Sequence, residues 1–543
     1  VTTSGTTNST SIDWSALIQS QVDAKLATAT TISAKITANE ARISAYETLQ
    51  SDLKTLASSL QSLSTAMVNS LATNVFATRS ATLSSTGDVS ASSALSMTVG
   101  NGAATGDHTL TISQIATAHK VAGTTQSSQT DALGYSGTFS LGLDGGDSAD
   151  ITVTASMSLQ DIADAINAQT STTSVQASIV QVSGDSYEIV ISGTAEAADI
   201  TYSSTSGDDV FNALGITDTS GTFTDVLQTA QAAQFTLDGI SITRDTNTID
   251  DVLSGVTFDL LQATPSGTSI NVSIGTNTDQ IESALTDFVT AYNAFRNEVS
   301  TQSATSSDGT ASSTAVLFGD GTMRDIMSYL QNALATSVGG LSMSDIGLSF
   351  NESNELELDT SVLQSALSTN LAGVTKLLAA QTTTSSTQLT VVNTGTAPQS
   401  FTLDLAYDAD GNLTASVGGD SSLFTVSGSS IVGKSGTIYS GLAFTYSGAT
   451  AQSITVTSTT GIAAQLYATA KNYSSTSGAL QTLISSLQDR DDDLQSRVDD
   501  ITAKAATYQT MLQTQYAKYQ AAIETANTTL TYLKALLNSS SDS

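Results

Sequence analysis

Apolar side chains recur at alternating intervals of three and four along the C-terminal stretch of this chain. Ile484, Leu487, Leu494, Val498, Ile501, Ala505, Tyr508, Leu512, Tyr519, Ala522, Ala526, Leu533 and Leu536 fall on the stripe. Asp491, Gln515 and Thr529 are its polar members. Heptad spacing of this kind holds one face of a helix against a partner helix as a coiled coil. At 1.5 Å per residue the predicted helix is roughly 80 Å long, far more than a globular domain needs. A weaker stripe runs near the N-terminus through Val22, Ala29, Ile32, Ile36, Ile43, Tyr46, Leu53, Leu60 and Met67, interrupted by Lys25, Asn39 and Gln50. Asp13 is placed as the N-cap of that first helix, which the scarcity of breakers extends to about Leu71. Residues 1–12 read as a disordered polar lead.

Between the seams the period changes to two. Strands are predicted at Leu95–Val99, His108–Ile115, Phe139–Leu143, Ile151–Ala155, Val175–Val182, Tyr187–Ser192, Phe235–Ile242, Val256–Leu261 and Ser269–Ile274. Ser158–Asn167 carries a cap and helical apolar spacing, so a short helix is embedded among them. Helix returns at Thr278–Gln302, where Ile281, Leu285, Phe288, Val289, Tyr292 and Phe295 share a face. A polar linker at 300–314 precedes a helix at 320–336, a strand pair near Gly347–Phe350 and Leu356–Leu358, and a helix at 360–379. A second β region spans about 383–459, with strands at Gln388–Val392, Phe401–Tyr407, Ala443–Tyr446 and Ser453–Thr457. Helix resumes near Gly461 and, after a break at Ser474–Gly478, enters the seam. The class is α+β multidomain, with antiparallel β-rich lobes inserted between helical segments and both terminal helices brought together.

Composition narrows the chemistry. Fifty acidic residues face 17 basic ones, for a net charge of −33, and basic clusters are missing. Nucleic acid and anionic membranes are therefore excluded as expected partners. No apolar run is long enough to span a bilayer, and the first residues show no cleavable secretion signal. Cysteine is absent, which removes disulfide and thiolate chemistry. Only Pro265 and Pro398 are present, as long helices require.

No catalytic constellation, cofactor motif or metal motif emerges. His108 and His119 are the only histidines, and with no cysteine and no HExxH pattern they read as exposed or half-buried lobe residues. Neither a GxSxG elbow nor a phosphate loop ending in GK[ST] occurs. Asp408-Ala-Asp-Gly-Asn412 lacks the distal acid of a calcium loop and reads as a hairpin turn. Asp489-Arg-Asp-Asp-Asp493 reads as a solvated face, with Asp491 on the seam able to select a partner. Gln515 has two equal readings: a buried register-fixing residue, or part of an exposed, fraying seam. The seam as a whole has an internal partner in the N-terminal helix, preferred here, with its remaining apolar edge free for other subunits.

Several motifs, in order, resemble the flagellar filament cap, or hook-associated protein 2, family. Ile12-Asp-Trp-Ser-Ala-Leu-Ile18 looks like its opening LDxxxLV segment, and Asp287–Ala294 looks like its FVxAYN helix. Leu317-Phe-Gly-Asp320 with Met323, Arg324 and Ile326 matches LxGDxxLRxI, and Leu341–Leu348 with Leu356–Asp359 and Leu363 matches LADLGI…LxLDxxKL. Ser158–Asn167 with the following strand is similar to the insert motif of flagellins and hook-associated proteins. The family's glycines before the opening segment are replaced by Thr7-Asn-Ser-Thr-Ser11, and the 383–459 region is longer than in many members.

The resemblance implies a leg of residues 1–44 paired with 485–543, and a helical body from 45–80, 276–380 and 461–484. It implies a first β lobe from 81–122 and 229–275 and a second from 123–228, with 381–460 as an additional insert. It further implies a non-enzymatic cap, without cofactors, that closes into a homo-oligomeric ring at the filament tip. There it promotes flagellin folding and polymerisation and prevents monomer loss. Flagellin, hook–filament junction proteins and an export chaperone at the C-terminus are the implied partners. Export through the flagellar type III apparatus would place the protein outside the cell. The competing functions are a flagellin-like or junction subunit, and a surface adhesin acting through the β lobes. The residues expected to carry assembly are the seam positions Ile484, Leu487, Leu494, Val498, Ile501, Tyr508, Leu512, Gln515, Tyr519 and Leu533, with Ile32, Ile36 and Ile43.

Overall fold

The computed structural model describes residues 13–65, 73–394 and 398–541. The expected polar lead at 1–12, the last part of the first predicted helix and Met67 lie outside the described residues. The chain divides into two compact units, Val1–Met67 with Ile281–Ser543, and Val68–Gln280.

Among the described residues the first unit is built on six helices: α1 (Trp14–Leu60), α2 (Thr278–Gln302), α3 (Gly321–Leu334), α4 (Thr360–Leu378), α5 (Ile462–Ser474) and α6 (Ala479–Ser541). Asp13 caps α1 by accepting a hydrogen bond from the Ala16 amide at 3.0 Å. The helix stops at Leu60, short of the expected Leu71. The stretch Gln61-Ser-Leu-Ser64 forms turns, and the Ser64 hydroxyl donates to the Gln61 carbonyl. Hydroxyl side chains compete with the helical backbone in this way wherever they cluster.

Helices α1 to α5 enclose a core that includes Leu49, Leu53, Leu56, Leu285, Phe288, Phe295, Ile326, Leu330, Leu363 and Leu466, all buried. Asp320 ties two of them together. One of its carboxylate oxygens caps α3 at the Met323 amide (2.8 Å), and the other accepts the Tyr46 hydroxyl of α1 (2.7 Å). Burial, reinforced by this carboxylate, pushes the Tyr46 phenol well above its ordinary range, so it stays a proton donor. Asn293 on α2 holds the Leu348–Phe350/Leu356–Leu358 hairpin, its side chain bonding both the amide and the carbonyl of Leu356 at 2.8 Å.

The expected single helix at 360–379 is kinked. Asn370 leaves helical geometry (φ −151°, ψ 53°), and its side chain recaps the following turn at the Gly373 amide. Asparagine favours such local bonds over a helix interior.

Residues 381–459 form two four-stranded antiparallel sheets whose inner faces share one core. Leu403, Leu405, Ile454 and Val456 come from one sheet, and Phe424, Ile431, Leu442 and Phe444 from the other. The short strands Gln381–Thr384, Leu413–Ser416, Phe424–Ser427 and Ser430–Gly433 were not predicted. The Asp408–Asn412 segment is the predicted hairpin loop, with the Asp408 carboxylate accepting from the amides of Asp410 and Asn412.

The second unit holds two β cores. In one, a five-stranded sheet shares its core with the three-stranded sheet built from Leu95–Val99, Thr248–Ile249 and Val256–Leu260. In the other, sheets of four and three strands enclose Phe139, Phe211 and Ile191 together with the helix Leu159–Asn167. The expected cap of that helix is a reciprocal capping box between Ser158 and Asp161.

One predicted strand is two. Phe235–Ile242 is a hairpin, Ala233–Leu237 against Ile240–Arg244, turned by Asp238 (φ 53°) and Gly239 (φ 81°). An Asp-Gly pair supplies the two left-handed residues of a tight hairpin turn. His119 also differs from expectation: it is buried, and its Nδ1 accepts from the Ile200 amide at 3.0 Å. His108 sits on its predicted strand, 2.8 Å from the Asp238 carboxylate.

Candidate assembly surface

The two seams meet. α1 and α6 pair antiparallel: Asn39 contacts Asp491, Gln50 contacts Gln481, and Gln21 contacts both Tyr508 and Tyr516. Val22, Ala29, Ile32, Tyr46, Leu49 and Leu53 of α1 are buried, as are Leu480, Ile484, Leu494, Ala505 and Leu512 of α6. Leu487, Val498, Ile501 and Tyr508 on α6, and Ile36 and Ile43 on α1, are half-buried.

Polar residues that interrupt one seam are answered by the other. The Asn39 amide donates to Asp491 at 2.6 Å, and the Gln50 amide donates to Gln481 at 3.2 Å. The Lys25 ammonium lies 5.3 Å from the Tyr508 ring centroid, a cation–π contact. A shift of one helical turn would separate all three pairs, and buried polar seam residues are known to set register in this way. The second carboxylate oxygen of Asp491 is buried without a hydrogen-bond partner, so its pairing with Asn39 is not fully compensated.

The pair ends where Trp14 stacks on Tyr516, ring centroids 5.0 Å apart. Beyond it α6 continues, and from Ala517 to Asn538 every residue is exposed. Here the apolar stripe runs through Tyr519, Ile523, Ala526, Leu530, Leu533 and Leu537, at intervals of four and three. Among these, Tyr519 is 47% exposed, Ile523 44%, Leu530 52%, Leu533 52% and Leu537 68%. Of the expected assembly residues, Tyr519 and Leu533 thus lie on the open part. Gln515 is exposed and donates to the Tyr519 hydroxyl one turn on at 2.9 Å, while Tyr516 takes the half-buried place beside it.

After Leu512 the stripe therefore moves by one residue, from 515, 522, 529 and 536 to 516, 523, 530 and 537. Two successive intervals of four, Tyr508 to Leu512 and Leu512 to Tyr516, produce the shift. Such a step locally unwinds a coiled coil. Sequence reasoning missed Tyr516, Ile523, Leu530 and Leu537, although those two consecutive intervals of four were visible.

Among the described residues no group of three His, Asp or Glu side chains could hold a metal ion. No helix among them is long and apolar enough to cross a membrane. What the surface offers is an extended apolar helix face with few charges, suited to another helix.

Comparison with known proteins converges on one family. The family model described as the flagellar hook-associated protein 2 C-terminus matches residues 230–528, more than half the chain. The corresponding N-terminus matches residues 10–119, and the flagellin hook IN motif matches residues 138–195. The flagellar hook-associated protein 2 of Escherichia coli K12 is 30% identical over 332 residues, spanning 58% of this chain and 70% of that protein. The A-type flagellar hook-associated protein 2 of Pseudomonas aeruginosa is 27% identical over 302 residues, spanning 51% of this chain and 62% of that protein. Helicobacter pylori relatives are 35% identical over 148 residues, but the match spans only 21% of their length. The crystal structure of the E. coli flagellar cap protein D1-D2-D3 domains aligns with a TM-score of 0.49 at 23% identity, covering 82% of this chain and 99% of that one. On the family-model match over more than half its length, the chain belongs to the flagellar hook-associated protein 2 family.

Proposed function

We propose that the protein caps a flagellar filament, assembling with copies of itself into a closed ring at the tip. There it helps flagellin subunits fold into place and keeps them from leaking away, without covalent chemistry. The observation that carries this reading is the open end of α6. Its heptad face from Tyr519 to Leu537 lies beyond the last α1 contact, at Trp14 and Tyr516.

An apolar helix face of this length is a ready site for subunit or filament helices. From Ala517 to Asn538 the only charges are Lys518, Glu524 and Lys534, in a chain of net charge −33, so copies can approach there without strong repulsion. The family membership supports the same reading. Tyr519, Leu533 and the flanking apolar residues are the proposed contacts, whereas Ile484, Leu487, Leu494, Val498, Ile501, Tyr508, Leu512, Ile32, Ile36 and Ile43 hold the arm in place from within. In this reading the two helices form a leg and the α1–α5 core a body. Export through the flagellar apparatus to an extracellular tip completes the proposal.

The test is filament growth from short flagellin seeds observed by electron microscopy. With the purified protein present, seed tips should carry a discrete density and lose fewer monomers on dilution. Free incorporation of the protein along the filament would instead identify a structural subunit.

A further inference from the structure

The helical body holds a second feature, independent of the assembly arm. Between α2, α3 and the Leu348–Phe350/Leu356–Leu358 hairpin lies a cavity of about 490 Å³, within the range of small-ligand sites. Its walls include Tyr292, Arg296, Val299, Met327, Gln331 and Phe350. Tyr292 is fully buried, yet its hydroxyl has no hydrogen-bond partner. Asn293, the next residue, is by contrast satisfied on both sides by the hairpin.

A buried, unpaired hydroxyl is costly, and phenylalanine would fill the same space without that cost. Burial raises the Tyr292 phenol above its ordinary range, so it remains protonated and can only gain by finding an acceptor. The Arg296 guanidinium lies close enough to act electrostatically on that phenol, and one of its nitrogens already bonds the Ser353 carbonyl at 2.7 Å. Val299, Met327 and Phe350 supply apolar wall. The unbranched Met327 and the exposed Phe350 can rotate to admit a group to the hydroxyl beneath them.

We infer that this cavity binds a carboxylate carried on an apolar body, the acid meeting Tyr292 and Arg296 and the body packing on Val299, Met327 and Phe350. Such a group could be a small free acid or the end of a polypeptide.

The experiment follows the Met327 methyl signal by NMR of full-length protein labelled at methionine methyls, identified through Met327→Leu. Hexanoate, hexanamide and the dipeptide acetyl-Ala-Leu are titrated in turn. Hexanoate should shift the signal saturably, and hexanamide should bind more weakly. Tyr292→Phe removes only the unbonded hydroxyl, so the fold should persist while hexanoate affinity falls about tenfold or more. Tighter binding of acetyl-Ala-Leu than of hexanoate would assign the site to polypeptide ends, and the reverse order to small acids. An unshifted Met327 signal, or equal affinity in Tyr292→Phe, would overturn the inference.

Discussion

At the scale of single residues, ionisable and glycine positions make opposing contributions. Asp52 on α1 is held above the usual carboxylate range, first by burial and then by the Glu298 carboxylate nearby. A carboxyl whose pKa is raised on folding favours the folded state below its unfolded value and loses that advantage as pH rises through the folded value. At neutral pH the ionised Asp52 is therefore a liability, and Asp52→Asn should raise the thermal midpoint at pH 7 but not at pH 3. Equal midpoints at pH 7 would contradict this.

Gly347 works the other way. Its φ is 79°, and an added Cβ would lie 2.3 Å from the Asp359 carbonyl oxygen. Gly347→Ala should cost more than about 1 kcal/mol, read from urea unfolding, because the backbone must move as well as strain. Neither effect was legible in the sequence. Both depend on what a distant segment brings to the residue.

At the scale of elements, periodicity found most of the fold. The helices at Thr278–Gln302 and Gly321–Leu334 and the hairpin at 348–358 emerged where apolar spacing and caps agreed. Three of the misses share a cause: local side-chain chemistry overrode the periodicity. Hydroxyl-rich residues after Leu60 ended α1, Asn370 kinked α4, and Asp238-Gly239 folded one apparent strand into a hairpin. Four short strands of the 381–459 region carried too few apolar residues for alternation to register.

Within the helix pair, the polar interruptions were visible one seam at a time, but their matching was not. Leucine at Asn39 alone would strand the half-buried Asp491 carboxylate, and leucine at Asp491 alone would strand the Asn39 amide. Each single change should destabilise. The double variant Asn39→Leu/Asp491→Leu should recover stability, with a coupling of about 1 kcal/mol by thermal unfolding. Strict additivity would show that the pair does not set the register.

At the scale of the whole molecule, two compact units and a helix pair with an open end are combined in one acidic chain. The seam's existence and its partner helix were legible from heptad spacing. Which part of it stays open was not, because that depends on where α1 begins relative to α6. The paired part, up to Trp14 and Tyr516, and the open part beyond it have separable roles in the proposed account. Removing everything after Tyr516 should leave the thermal midpoint nearly unchanged, since no described residue from Ala517 to Asn538 is buried. The same truncation should abolish assembly.

The most direct measurement is the mass distribution of the full-length protein and of the chain ending at Tyr516, by mass photometry across concentration and salt. The account predicts one discrete oligomer of a few subunits for the full-length protein and a monomer for the truncated one. An open-ended ladder, or the same distribution for both, would contradict it.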